Sequence, residues 1–467
     1  MIHNLTQGNP RRVLWRFSLP MFVSVIFQQL YNIADSMIAG RFAADGESAL
    51  AAIGASYPIT MVFMAIAVGS NIGCSVVISH LFGAGRHREL KTAVSTTLIA
   101  SAGVSLLLTG LGLALNSQMM AWIQTPADIF SDGALYLGIY IGGFPFLFVY
   151  NVCTGIFQSL GDSKTPLYFL IGSSLGNILL DWVFVAVFHW DVAGVAWATF
   201  LAQGIACVLA FVTLLRRVKA IPTQGEIPRF SRAMLGQVAR IAIPSILQQS
   251  FISVGNILIQ GLINSCGSSV IAGYSAAVKL NTFTITSFTT LANGVSSFTA
   301  QNMGAGRHDR VKAGFRAGLI MAFAVAVPFF VILFFFSGGM VRLFMNAESS
   351  LALETGVSFL RIATPFYFII SIKLIADGVL RGAGAMSAFM IATFTDLVLR
   401  VVLSFVLFEY LNTLGIWLSW PIGWSIATVV SLVFYLSGRW KKSHIGQGLA
   451  GQMQEETEAV MEGEAAE

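Results

Sequence analysis

Residues 167–188 form a run of twenty-two positions with no charge except Asp181. A stretch this long and apolar crosses the hydrocarbon core of a bilayer as one helix, because a helix satisfies its own backbone hydrogen bonds there. Asn177 precedes Asp181 by one turn, so the two oxygen-bearing side chains share a face. Burying a carboxylate in hydrocarbon is costly unless it has partners, so Asp181 is either a functional group or a structural acid bonded to neighbouring helices. Asp35 in the first apolar run and Thr199 in the sixth weight the functional reading.

The rest of the chain has the same character. It is 56% hydrophobic and 10% charged with a mean hydropathy of +0.76, whereas a soluble domain carries about a quarter of its residues as charges. Apolar length and loop punctuation give twelve spans, at 14–40, 49–80, 90–115, 132–158, 167–188, 192–215, 238–263, 270–302, 313–336, 353–380, 387–408 and 414–436. The expected fold is therefore all-α and polytopic, with twelve transmembrane helices. The opening residues are polar and no small-residue cleavage site follows the first run, so no cleavable signal peptide is expected.

The basic residues set the orientation. Of 27 Lys and Arg, 21 fall at alternate junctions, from Arg11, Arg12 and Arg16 through Arg86 and Arg307 to Arg439. This bias places both termini in the cytoplasm, in a plasma (cytoplasmic) membrane protein. The 216–240 junction, with Pro222, Gly225 and Pro228, is the natural divide. It gives lobes at 1–220 and 221–443, followed by a polar, acidic cytoplasmic tail at 444–467.

The two halves repeat. Gly83-Ala84-Gly85-Arg86-His87 after the second span matches Gly304-Ala305-Gly306-Arg307-His308 after the eighth, and Pro20 with Gln28-Gln29 matches Pro244 with Gln248-Gln249. Six spans repeated in one orientation imply a pseudo-twofold axis along the membrane normal, with the binding site between the halves.

Enzyme chemistry finds no support in the residues. The glycine-rich pieces follow membrane helices and lack Gly-Lys-Ser/Thr, so they read as helix-ending turns and not as phosphate loops. Cys74, Cys153, Cys207 and Cys266 show no metal or disulfide spacing, and the six histidines sit at or beyond span ends. No cofactor, no nucleic acid and no enzyme activity are expected.

Twelve spans in a six-plus-six repeat, Gly-Ala-Gly-Arg after spans two and eight, Pro20, and Asn177-x-x-x-Asp181 together resemble a MATE (multidrug and toxic compound extrusion) transporter, closest to the prokaryotic DinF-type branch. The resemblance runs from about residue 14 to 436. It implies a cation- or proton-coupling site at Asp35, Asn177, Asp181 and Thr199. Tyr31, Tyr136, Asn151 and Thr154 would stand nearby as cavity or second-layer groups, and Pro20 would be the hinge of the first helix. All the ligating groups offer oxygen, which suits a hard cation such as Na+ and serves a proton equally.

The function so implied is secondary antiport: export of organic, cationic, amphipathic drug-like compounds in exchange for Na+ or H+, by a protein expected to act as a monomer. A lipid-linked oligosaccharide flippase of the same superfamily is the alternative. The second half departs from the family's other branch, since it has no acid in span seven. It carries Lys279, Arg361, Lys373, Asp377, Asp396 and Arg400 instead. Asp396 and Arg400 are spaced as a self-neutralising i,i+4 pair, and Lys279 and Lys373 are candidates to favour anionic substrates.

Overall fold

The computed structural model describes residues 4–42, 46–344, 350–442 and 445, without the side chains of residues 33–36, 39–42 and 46–50. Among the described residues the regular structure is helical, with no strand. The first half holds α1 (Pro10–Phe42), α2 (Gly46–Gly83), α3 (His87–Ala114), the short α4 (Asn116–Trp122), α5 (Phe130–Ser159), α6 (Lys164–Asp181) and α7 (Asp191–Lys219). The second holds α8 (Arg232–Asn264), α9 (Ser268–Gly304), α10 (His308–Phe335) and the short α11 (Ser337–Arg342). It ends with α12 (Ser350–Ala363), α13 (Tyr367–Gly382), α14 (Met386–Leu411) and α15 (Thr413–Leu436).

These elements make the twelve expected spans. The tenth is α12 and α13 together, joined by a single 3-10 turn at Thr364–Phe366 where Pro365 removes a backbone donor. Eleven spans are apolar enough to cross a membrane on composition alone. The other, α9, is diluted by serines, threonines and asparagines.

The repeat reaches into local structure. A short helix follows the third span of each half (α4 and α11). The Gly-Ala-Gly-Arg pieces close α2 and α9 as paired helix caps, with Gly85 at φ +70° and Gly306 at φ +69°. The Arg86 amide then returns to the Leu81 carbonyl at 3.0 Å, and the Arg307 amide to Asn302 at 2.8 Å. This is the left-handed glycine cap that a helix-ending turn requires.

Packing divides the chain into two compact units, residues 23–250 and residues 5–22 with 251–444. The division differs from the expected 1–220 and 221–443 by the exchange of two half-helices. The amino-terminal part of α1 packs within the second unit, and that of α8 within the first. The small residues explain the exchange. Gly73 of α2 receives Ala242 of α8 so closely that a β-carbon on Gly73 would lie 2.5 Å from the Ala242 β-carbon, and Gly294 of α9 receives Ser18 of α1 in the same way. The expected tail at 444–467 lies outside the described residues except for Ile445.

Within the first unit α5 is central, packing on α2, α3 and α7, while α6 lies against α7. In the second unit α9, α12, α13 and α15 surround an aromatic core in which Tyr274 stacks on Trp417 at 5.2 Å and Phe359 meets Trp417 and Trp420 edge-on.

Candidate ion-coupling site

Asp181 is the last residue of α6, and the chain then widens into a single π-helical turn, Trp182–Val187. Such turns are rare in helices and concentrate at functional positions. The turn buries Val185 completely. It closes against the start of α7, where the β-carbon position of Gly194 lies 3.2 Å from Phe184. The reverse connection is tight enough to force His189 and Asp191 to positive φ, and Trp190 fills it by packing on Phe184 and Phe188 at 5.0 and 5.7 Å.

This closure brings the polar face of α6 onto α7. Asn177 and Asp181 are 2% and 0% exposed. Asn177 Nδ2 lies 3.5 Å from Thr199 Oγ1, and Asn177 Oδ1 is buried without a hydrogen-bond partner among the described residues. Tyr136 of α5 packs half-buried against a cluster of Ile38, Val185 and Val195, beside the π turn. The buried oxygens of Asn177 and Asp181 thus share a face of α6 that the half-buried Thr199 of α7 approaches, a donor set suited to a hard cation or to a shared proton.

The other expected site residues fall differently. The side chain of Asp35 lies outside the described residues. Tyr31 is half-buried on α1. Asn151 lies about 22 Å along α5 from Tyr136 at the α-helical rise. Its Nδ2 is committed to its own helix at the Leu147 carbonyl, 2.9 Å away. Thr154 is hydrogen-bonded to Tyr150. Neither residue joins Asn177. Pro20 is buried inside α1, two residues before the point at which that helix passes from one compact unit to the other.

The second unit holds a buried charge network of different shape from the expected one. No ion pair joins Asp396 to Arg400. Lys373 instead stands between two carboxylates, 2.8 Å from Asp377 and 3.8 Å from Asp396, and Ser431 donates to Asp377 at 2.6 Å. Arg400 lies over the Trp420 ring at 4.5 Å, and Arg381 donates to Asn293 at 2.6 Å. Helical spacing put Asp396 and Arg400 on one face but could not reveal that α13 presents Lys373 to the same place. Lys373 is 2% exposed, so it is a structural cation and not the cavity-lining group it was a candidate to be.

The sequence model of a family described as MatE matches residues 20–183 and again 244–406. The two matches open at Pro20 and Pro244, the prolines that the internal repeat pairs. The probable multidrug resistance protein YpnP of Bacillus subtilis (strain 168) is 27% identical over 94% of this chain and 98% of its own length. The FAD transporter of Shewanella oneidensis is 24% identical over 73% of this chain and 76% of its own. Among solved structures, a MOP superfamily transporter from Pyrococcus furiosus Vc1 superposes with a TM-score of 0.86 at 23% identity, covering 94% of this chain and 98% of that one.

Proposed function

Because the chain belongs to the MatE family, we propose that it is a secondary active antiporter that exports amphipathic organic compounds in exchange for Na+ or H+. The observation that carries the coupling half of this reading is the pair of buried side chains Asn177 and Asp181, with the half-buried Thr199 within reach of Asn177, beside a π turn. A helix that ends on a buried carboxylate and then changes its winding is suited to rearrange when that carboxylate gains or loses a cation or a proton. Coupling then needs only that the ion and the substrate favour different states of the protein.

The export half is supported by the relatives' names, several of which are multidrug resistance or export proteins. A cationic substrate has less support than an amphipathic one. One relative is named for FAD, which carries phosphates, and Lys279 and Arg361 are exposed within the spans of the second unit. The protein is read as residing in the plasma membrane with both termini in the cytoplasm, on the strength of the Lys/Arg bias.

The test is flux in proteoliposomes. Substrate efflux from the parent should respond to an imposed Na+ or pH gradient, and Asp181→Asn should remove that response while the protein stays folded. Gradient-driven efflux that survives Asp181→Asn would move the coupling site elsewhere.

A further inference from the structure

Among the described residues α9 is the one long helix too polar to pass as an apolar span, and its polar residues divide between two faces. On the inner face Thr284 and Ser287 are buried and return their hydroxyls to the carbonyls of Leu280 and Phe283, at 3.1 and 2.8 Å. These groups are satisfied within the helix. On the outer face Ser275, Lys279, Thr282 and Thr286 recur at helical spacing, with Lys279 and Thr282 exposed and the others half-buried.

The outer face is turned away from the core of its unit. Gly273, Tyr274 and Asn281, which meet α12 and α13, occupy the opposite side of α9. Arg361 is also exposed, but it follows Phe359 by two residues and so leaves α12 on the side away from α9. It does not join this stripe.

A face made of lysine, serine and threonine cannot be turned to hydrocarbon without heavy cost. Lys279 lies about 17 Å along the helix from Ser268, on a face that also carries Thr282 and Thr286. Among the described residues it has no carboxylate partner, unlike Lys373. An exposed cation on a polar helix face, with no carboxylate partner, is held by water or by a ligand.

Resting on the export reading above, we propose that this face of α9 lines the aqueous substrate path and that Lys279 holds the negative group of an amphipathic organic anion. Thr282 and Thr286 stand one turn apart below it as further hydroxyl donors. An ammonium on a flexible stem is a point charge with three donors, and it accepts carboxylate or sulfonate groups in varied geometries. The stripe carries no carboxylate to welcome a cation.

The test compares two dyes with the same xanthene body, fluorescein as the anion and rhodamine 6G as the cation, in phosphatidylcholine proteoliposomes of the full chain under one imposed gradient. The parent should move fluorescein, and Lys279→Gln should slow it at least about tenfold, the worth of one charge-assisted contact. Lys279→Arg should retain most of the flux, and rhodamine 6G movement should not fall in Lys279→Gln. Fluorescence polarisation of fluorescein with the solubilised protein should show the same loss in Lys279→Gln. A parent that moves rhodamine 6G but not fluorescein overturns the anion assignment and leaves export standing, as does a Lys279→Gln variant that slows both dyes equally. Movement of neither dye overturns the export reading, and the assignment falls with it.

Discussion

Arg310 Nη1 donates to the Gly8 carbonyl at 2.7 Å, across 302 positions of sequence. The same guanidinium reaches the Leu5 and Gln7 carbonyls at 3.2 and 3.3 Å, and Arg307 donates to the Thr6 carbonyl at 2.7 Å. Gln301 accepts the Leu5 amide at 2.9 Å, and the Leu5 side chain is 1% exposed. Residues 5–8 are therefore strapped to the junction of α9 and α10, and this fixes the entry of α1 within the second unit. In the first unit Arg88 holds the Glu226 carbonyl at 2.8 Å, and Thr96 accepts the Ser231 amide at 3.0 Å just before α8. The basic residues after the glycine caps thus grip backbone.

Arg310→Ala should loosen the strap. Three carbonyls lose a charged donor, and a loss of about 2 kcal/mol is expected for contacts of this kind. Arg310→Lys should recover little of it, because one ammonium cannot reproduce the planar fork. Hydrogen–deuterium exchange at the amides of residues 5–9 should speed up in both variants, and unchanged exchange would show that Arg307, Gln301 and the burial of Leu5 hold the strap without Arg310.

Close helix contact in the second unit depends on Gly378. A β-carbon there would lie 2.6 Å from the Ala292 carbonyl oxygen of α9, which is backbone and cannot swing aside. Gly378→Ala should cost about 2 kcal/mol or more through overpacking. Gly172→Ala, with open space at its β-carbon position, should cost almost nothing. Thermal unfolding of the purified variants in one detergent separates the two, and equal midpoints would contradict the packing.

Lys373 is the ion-pair partner of two buried carboxylates, so removing it alone leaves both without that partner. Lys373→Met should destabilise by about 3–5 kcal/mol, the usual cost of breaking a buried ion pair from one side. Adding Asp377→Asn and Asp396→Asn should return at least half of that loss. A single variant as stable as the parent would mean that water already solvates the carboxylates.

The spans, the repeat and the Asn177–Asp181 face were legible because length, spacing and motif position are properties of one helix. What depends on a neighbouring helix was not. The 3.6-residue period pairs Asp396 with Arg400, but only packing brings Lys373 to Asp396. The strap of residues 5–8 looks like a polar lead-in until Arg307 and Arg310 are placed over it. The two units exchange half-helices because Gly73 and Gly294 admit close approach, and a glycine does not announce its partner. The π turn after Asp181 follows from the closure of Phe184 on Gly194, and residues 182–187 carry no signal that separates it from an ordinary apolar helix.

The separation between Thr199 and Asn151 gives a sharper test of the coupling site than the loss of Asp181. Thr199 Oγ1 is in reach of Asn177, whereas Asn151 is bound to Leu147 on its own helix, more than four turns of α5 from Tyr136. Thr199→Ala removes one neutral oxygen from the set and leaves the carboxylate, so transport should persist with weakened ion affinity. One neutral contact is worth about 0.5–1.5 kcal/mol, so the Na+ concentration or proton activity needed for half-maximal efflux should rise roughly two- to tenfold. Asn151→Ala should leave that value unchanged, whatever it does to substrate affinity. The measurement is initial efflux rate against external Na+ at fixed pH, then against pH without Na+, for the parent and both variants. A shift with Asn151→Ala but none with Thr199→Ala would place the ion lower along α5 and remove Thr199 from the coupling set.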